Sequence, residues 1–122
     1  FYDQEKNTEL IIKKGTVQKR FKNKKIPIFR CSGNSLDSKL NAFDVSPDKK
    51  NIIAAGDDGK IYLYNYNLGV GSFRYSGHNA AVKDVVYSED GRFFASGGKD
   101  RSIIITIITL SDFNFISYPP QH

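Results

Sequence analysis

Three residues of this sequence have the side chains of a hydrolytic triad, namely His78, Ser96 and Asp100. Serine hydrolases use a hydroxyl nucleophile, an imidazole base and a carboxylate that orients the base. The same groups can instead bond to one another inside a protein, where each buried polar group needs a partner. Which alternative holds depends on the secondary-structure elements that carry these residues.

Metal and cofactor chemistry has little support in the sequence. It contains two His residues and one Cys, and the pair Asp57-Asp58 lacks the alternating spacing of a calcium loop, so we interpret these acids as turn residues. Residues 69–72, Gly-Val-Gly-Ser, lack the lysine and the following helix of a phosphate-binding loop. Cys31 is expected to be a small buried residue without a disulfide partner. We therefore expect no metal, no cofactor and no small-molecule substrate.

Positive charge is concentrated in the first quarter of the chain. Residues 1–30 contain nine Lys and Arg against three acids, while residues 31–122 contain nine against ten. Such a basic segment predicts contact with a polyanion, either RNA or an anionic membrane. The alternative is an exposed edge hairpin that its lysines keep soluble. The candidate polyanion contacts are Lys13, Lys14, Lys19, Arg20, Lys22, Lys24 and Lys25.

The rest of the chain contains an internal repeat with an offset of 42 to 44 residues. The matched segments are 40–48 with 82–90, 51–64 with 92–106, and 29–34 with 73–78. Each copy alternates β-branched or aromatic runs with turn residues, and helical periodicity is absent. The sequence therefore predicts an all-β protein with strands at residues 38–46, 50–56, 60–66, 71–76, 82–88, 92–97, 102–109 and 113–118.

A four-stranded unit of about 42 residues that opens at Gly-His and continues through Ala-Ser-Gly-Gly-Lys-Asp resembles the WD40 repeat. The likeness covers residues 29–118. It implies a fragment of a β-propeller, in which four-stranded antiparallel blades surround a central channel. Blades of this kind stack face to face, so the resemblance also predicts strands that are apolar on both sides.

The resemblance implies a structural role for the three triad-like residues. In WD40 repeats a histidine, a serine and an aspartate join a strand tryptophan in a buried hydrogen-bond network. The network implied here consists of His78, Ser96, Asp100 and Asp58. Tyr64 and Thr106 stand at the tryptophan positions, while Asn34 replaces the histidine and Ala55 the serine in the first copy. We therefore favour the structural interpretation over hydrolysis and expect divergent blades held mainly by apolar packing.

Several segments have a predicted place in the blades. Ile52–Ala55 and Ile103–Ile108 are expected to be inner strands with apolar contacts on both faces. Glu9–Phe21 predicts a hairpin that turns at Lys14-Gly15, and Ile26–Cys31 predicts an outer strand beside it. These two segments would be the remnant of a preceding blade.

The predicted organisation has three parts. Residues 1–32 form the remnant, residues 33–76 one WD40-like blade, and residues 77–122 a second blade with an outer strand. Two blades and a remnant cannot close a ring, and the sequence begins with Phe1 and contains no Met. We therefore expect the chain to be part of a longer protein or of an assembly.

The resemblance implies a non-catalytic scaffold that binds other proteins through loops at one face of the propeller. The candidate partner-binding residues are Asn34, Ser35, Asp57, Lys60, His78, Asn79, Lys99 and Arg101. One alternative is the C-terminal part of the membrane-anchored exchange factor for the small GTPase that starts COPII vesicle budding. The other is an RNA-associated propeller of ribonucleoprotein assembly.

The sequence also predicts a location. It shows no signal peptide and no apolar run of membrane-spanning length, and its single cysteine cannot form an internal disulfide. We expect an intracellular, cytosol-facing protein, or one at the surface of the endoplasmic reticulum under the exchange-factor alternative.

Overall fold

The computed structural model describes residues 1–33, 39–108 and 115–117. All secondary-structure elements within these residues are β-strands, which confirms the predicted all-β class. The strands are β1 (Tyr2–Asp3), β2 (Thr8–Lys13), β3 (Thr16–Phe21), β4 (Phe29–Cys31), β5 (Leu40–Val45), β6 (Asn51–Gly56), β7 (Lys60–Asn65), β8 (Gly71–Ser76), β9 (Val82–Tyr87), β10 (Phe93–Gly98), β11 (Ile103–Ile108) and β12 (Phe115–Ser117).

The strands form three four-stranded antiparallel sheets, in the orders β1-β2-β3-β4, β5-β6-β7-β8 and β12-β11-β10-β9. We call them the first, second and third sheets. The predicted hairpin is the β2–β3 pair, in which Lys13 lies opposite Thr16. The first sheet also contains β1, which the sequence did not predict because two residues carry no periodic signal. Its outer strand β4 is shorter than the predicted Ile26–Cys31, and Pro27 lacks the N–H that a longer strand would use.

The first three strands of the second and third sheets have equivalent registers at an offset of 42 residues. Ala54 pairs with Tyr62 in the second sheet, and Ser96 pairs with Ile104 in the third. The prediction that Ala55 replaces the serine is therefore wrong, since Ala54 occupies that position. A difference of one residue matters because it moves a side chain to the opposite face of the sheet.

The same turn chemistry joins the first two strands of both sheets. In the β5–β6 turn the Ser46 hydroxyl donates to Asp48 Oδ1 at 2.6 Å, and Ser88 donates to Asp90 in the β9–β10 turn at 2.8 Å. Each carboxylate also accepts the backbone N–H two residues further on, at 3.0 Å. The backbone N–H of Arg92 and the Ser88 hydroxyl lower the pKa of Asp90 to about 2. Because these bonds are local, both turns can be predicted from the sequence.

Apolar side chains fill the two spaces between neighbouring sheets. β6 supplies both layers, because successive side chains of a strand point to opposite faces. Ile52 and Ala54 pack toward the first sheet, while Ile53 and Ala55 pack toward the third. All four side chains are fully buried. The prediction of apolar contacts on both faces is therefore confirmed for Ile52–Ala55.

β11 does not show the same double burial. Ile104 and Thr106 are buried on the face of the third sheet that packs toward the second sheet. On the opposite face, Ile103 is 65% exposed and Ile105 is 41% exposed. The prediction of apolar contacts on both faces of Ile103–Ile108 is wrong for the described chain. The physical reason is that no further described sheet covers the far side of the third sheet.

Candidate partner-binding face

One end of the three sheets contains the turns that join the second and third strands of each sheet. Contacts between backbone atoms connect these turns to the segments that precede β5 and β9. The Leu40 N–H donates to the Gly15 carbonyl at 2.8 Å, and the Lys99 N–H donates to the Ala81 carbonyl at 2.9 Å. A Cβ on Gly59 would lie 3.0 Å from the carbonyl oxygen of His78. We call this end, with its three turns and two preceding segments, the candidate face.

A buried polar network lies beneath the candidate face in the third sheet. His78 Nε2 is 2.9 Å from the Ser96 hydroxyl, and His78 Nδ1 is 3.2 Å from Asp100 Oδ1. The structure thus brings together three of the residues that the sequence suggested. Asp100 also accepts the Ser102 hydroxyl at 2.6 Å and the Asn79 backbone N–H at 2.9 Å. These two bonds, the Ser102 hydroxyl first, lower the pKa of the Asp100 carboxyl.

This network lies at a corner of the third sheet, where the β10–β11 turn meets the segment before β9. The sequence interpretation missed two residues of this corner. The Ser102 hydroxyl lies 2.9 Å from His78 Nδ1 and bonds to Asp100, so it belongs to the network. Gly98 packs so closely that a Cβ would lie 2.6 Å from His78 Nδ1 and 2.7 Å from Asp100 Oδ1. An Asp-x-Ser spacing is a known turn signal and identifies Ser102 in hindsight. The need for Gly98 depends on a side chain that is distant in sequence and has no local signal.

The geometry does not suit a hydrolase. Ser96 is 2% exposed and His78 is 9% exposed, so a substrate carbonyl cannot approach the hydroxyl from solvent. A nucleophile needs such access for its attack. In this network the histidine, the serine and the aspartate satisfy one another, as buried polar groups must.

The equivalent corner of the second sheet uses a different donor. Tyr62, which is 4% exposed, donates its hydroxyl proton to Asp58 Oδ2. The other Asp58 oxygen accepts the Lys60 backbone N–H at 3.0 Å. Asp58 is thus bonded through a strand tyrosine, a partner that the sequence interpretation did not identify. Asn34, predicted at the histidine position, lies outside the described residues.

The two tryptophan positions are also filled differently. The Tyr64 hydroxyl donates to the Ser32 carbonyl at 2.5 Å, and burial raises the pKa of Tyr64. Thr106 is fully buried in the third sheet. Among the described residues, neither side chain forms a hydrogen bond with the His78 network. The family's tryptophan contact is therefore replaced by packing and by a bond to the first sheet.

The remaining predicted partner-binding residues lie at the surface of the candidate face. Those exposed or partly exposed to solvent are Asp57, Lys60, Asn79, Lys99 and Arg101. Arg101 has a φ of 64°, a left-handed conformation that a turn must impose on a non-glycine residue. His78 is buried, so it supports the face instead of contacting a partner directly. Ser35 lies outside the described residues.

Lys19 is wrongly predicted as a polyanion contact. Its side chain points inward between the first sheet and the β7–β8 turn, and it is only 4% exposed. The Lys19 ammonium donates to the Tyr66 carbonyl at 3.1 Å and lies 3.8 Å from the Tyr66 ring centroid. Burial and the nearby Lys6 charge lower the pKa of Lys19.

The other basic residues of the hairpin lie in three different environments. Arg20 forms a 2.7 Å ion pair with Glu9, which neutralises part of its charge. Lys13 and Lys14 lie at the β2–β3 turn on the candidate face. The exposed lysines of the β3–β4 turn lie at the opposite end of the first sheet; they are Lys22, Lys24 and Lys25. The predicted polyanion contacts therefore do not form one surface.

No group of three or more His, Cys, Asp or Glu side chains is placed to hold a metal ion within residues 1–33 and 39–108. No helix long and apolar enough to span a bilayer occurs in the part of the chain that the structure describes.

Residues 25–65 and 70–105 match the family model of the WD domain, G-beta repeat. Serine-threonine kinase receptor-associated protein of Homo sapiens is 36% identical over 64 residues, which cover 52% of this chain and 18% of that protein. Ribosome biogenesis protein YTM1 of Candida glabrata is 38% identical over 77 residues, covering 63% and 16%. The chain spans less than a fifth of the length of these curated relatives.

Solved structures show the same architecture. The chain of the structure titled "Structure of U3-55K" superimposes with a TM-score of 0.78 at 12% identity, covering 97% of this chain and 37% of that one. The fold and the repeat match define a protein of the β-propeller class. The chain belongs to the WD40 repeat family. Membership of this repeat family supports the predicted class of function, an interaction scaffold. The likeness to the COPII exchange factor stays a prediction.

Proposed function

We propose that this chain supplies part of a propeller scaffold and that partner proteins bind at the candidate face. The main support is that exposed charged side chains lie on turns that are fixed by hydrogen bonds and close packing. Asp57, Lys99 and Arg101 project from turns that the Gly59 contact and the Asp100 network hold in place. Rigid strands that carry variable polar turns are well suited to recognise a protein surface.

The test compares two sets of charge reversals in the full-length protein. The first set reverses the candidate face through Asp57→Lys, Lys99→Glu and Arg101→Glu. The matched control reverses the same number of charges at the opposite end of the second and third sheets through Lys50→Glu, Glu89→Lys and Arg92→Glu. Partners cross-linked to the wild type are identified by mass spectrometry. We expect them to be lost with the first set and kept with the control.

Equal loss in both variants, or loss in neither, would contradict a role for the candidate face. Far-UV circular dichroism and thermal midpoints check that both variants fold. All six residues are at least partly solvent-exposed, so we expect little change in stability.

We also propose that residues 1–32 belong to a preceding blade, that residues 33–76 form one blade, and that residues 77–122 form a second blade with an outer strand, all within a larger ring. The exposed apolar side chains of β11 support this division, because blade faces are normally covered by neighbours. An intracellular location belongs to the same proposal.

A second candidate is participation in ribonucleoprotein assembly. One observation favours it, namely the 38% identity to a protein named for ribosome biogenesis. Co-sedimentation with preribosomal particles, compared between wild type and the candidate-face variant, would test it. Absence of the wild-type protein from these particles would refute it.

A further inference from the structure

Apolar side chains protrude at the end of the first and second sheets opposite the candidate face. Ile26 is 84% exposed in the β3–β4 turn, and Leu68 is 69% exposed in the β7–β8 turn. They are the two most exposed large apolar side chains among the described residues. Val70 is 59% exposed beside Leu68. Placing such side chains in water forgoes the free energy that burial would provide.

Leu68 is held in place by a tight turn. The Asn65 side-chain oxygen accepts the backbone N–H groups of Asn67 and Leu68, both at 2.9 Å. The Gly69 N–H donates to the Asn65 carbonyl at 2.8 Å. Below the tip, Tyr66 is 1% exposed and its hydroxyl donates to Asp3 at 2.9 Å. The exposure of Leu68 is therefore a built feature of the fold.

Lysines surround these apolar tips. The exposed or partly exposed lysines on the neighbouring turns are Lys6, Lys22, Lys24, Lys25, Lys49 and Lys50. The exposed acids of the same turns are Glu5 and Asp48. The surface formed by residues 4–7, 22–28, 46–50 and 66–70 thus has an excess of positive charge. We call it the lysine-apolar surface.

Contacts between the turns show that this surface is continuous. The Lys6 ammonium donates to the Asn67 side-chain oxygen at 3.3 Å. The Tyr66 N–H donates to the Lys50 carbonyl at 2.9 Å, which joins the turns of the second sheet. The backbone N–H of Lys22 donates to the first sheet's Asn7 carbonyl at 3.0 Å. Among the described turns at this end, the β9–β10 turn of the third sheet differs, since it carries more acids than bases.

We propose that the lysine-apolar surface binds an anionic lipid bilayer. Ile26, Leu68 and Val70 enter the boundary between headgroups and acyl chains, and the lysines contact the negative headgroups. A bilayer fits both features, because it offers negative charge above an apolar phase that protruding tips can enter. Phosphates of RNA would use the lysines but would leave the apolar tips in water.

The first experiment measures co-sedimentation of the full-length protein with vesicles. The vesicles are an equal mixture of phosphatidylserine and phosphatidylcholine, or phosphatidylcholine alone. We expect binding to the anionic vesicles only. Replacing Lys22, Lys24 and Lys25 by Gln is expected to weaken this binding about tenfold or more, because each lysine near an anionic membrane contributes substantially.

A charge-matched variant distinguishes this proposal from nonspecific electrostatic binding. Replacing Lys13, Lys14 and Lys39 by Gln removes the same charge at the candidate face and should leave vesicle binding within about twofold of the wild type. Equal weakening in both lysine variants would overturn the proposal.

The apolar contribution has its own variant. Replacing Ile26, Leu68 and Val70 by Ser should weaken binding to anionic vesicles about tenfold or more, because three aliphatic side chains no longer enter the bilayer. Unchanged binding would overturn the proposed insertion. Binding to single-stranded RNA that needs Lys22, Lys24 and Lys25, without binding to vesicles, would replace the bilayer by a nucleic acid and overturn the proposal.

A fluorescent reporter tests insertion directly. The 122 residues contain no Trp, so Leu68→Trp adds a new probe at the tip of the β7–β8 turn. We expect its emission to shift to the blue and to be quenched by brominated lipids when anionic vesicles are added. Asn79→Trp, at an exposed position of the candidate face, is the control and should show neither change. Equal behaviour of both probes would contradict the assignment of Leu68 to the membrane.

Discussion

In the third sheet, His78 bridges Ser96 on β10 and Asp100 in the following turn, whereas in the second sheet Asp58 is bonded by Tyr62 from the adjacent strand. Both arrangements give the turn carboxylate a hydrogen-bond donor from a buried side chain. The histidine also ties the segment before β9 to this corner, while the bond from the Tyr62 hydroxyl joins the turn to a strand of the same sheet. The third-sheet corner therefore joins more elements, and its loss should cost more stability.

The largest effect is expected for His78→Ala. It leaves the buried Ser96 hydroxyl without this partner and removes one bond from Asp100, so we expect a loss of about 3 kcal/mol in the free energy of unfolding. Urea unfolding followed by circular dichroism measures it. Asn79→Ala, an exposed neighbour, serves as the control and should change stability by less than about 0.5 kcal/mol. Similar values for the two variants would show that the network adds little.

A smaller loss is expected for Gly98→Ala. A Cβ there would lie 2.6 Å from His78 Nδ1, so the network must move, at a cost of about 2 kcal/mol. The adjacent Gly97 has no atom within 4 Å of such a Cβ, and Gly97→Ala is the matched control. Thermal midpoints of both variants give the comparison. A Gly97 variant as unstable as the Gly98 variant would point to strand propensity instead of close packing.

In the second sheet, Tyr62→Phe removes only the hydroxyl that bonds to Asp58. We expect a loss of about 1 kcal/mol in urea unfolding, since the ring stays packed. Tyr87→Phe is the control, because the buried Tyr87 hydroxyl has no hydrogen-bond partner in the described part of the chain. That control should be neutral or slightly stabilising. A larger loss for Tyr62→Phe than for His78→Ala would reverse the order of the two corners.

The smallest effect is expected for stability at low pH. Bonds from the Ser102 hydroxyl and the Asn79 N–H lower the folded-state pKa of Asp100 below its usual 3.8. They therefore contribute stability above the unfolded pKa of about 3.9, and this contribution is lost as the pH falls below it. Thermal midpoints should decrease below about pH 4, and less steeply in Asp100→Asn. Lys99→Gln should keep the wild-type slope, and an Asp100→Asn variant with that same slope would contradict this origin.

Strands and turns of the two repeats were predictable because their signals are local. Ser46 and Asp48 form their turn within five residues, and the side chains of the apolar run Ile52–Ala55 alternate between the two faces of the sheet as in any strand. The offset of 42 residues placed Asp100 and Asp58 in equivalent turns. Local geometry also identifies Ser102, although the sequence interpretation passed over it.

Contacts between distant segments were not predictable in the same way. Lys19 lies in the same basic stretch of sequence as the exposed lysines, yet Tyr66, 47 residues away, covers its side chain. The donor to Asp58 could be any polar side chain that reaches the corner, and only the register of β7 selects Tyr62. The basic hairpin reads as one segment, but its antiparallel strands send Lys14 and Lys24 to opposite ends of the sheet.

The sequence alone determined the WD40-like repeat, most of its strands and three polar residues of the third-sheet corner, His78, Ser96 and Asp100, because turn chemistry and alternating apolar residues act over a few positions. Tertiary structure decided which charges are buried, which donor each aspartate uses and where apolar side chains stay exposed. Those outcomes depend on which sheet or turn packs against a given side chain. They separate the candidate face from the lysine-apolar surface at the other end of the sheets.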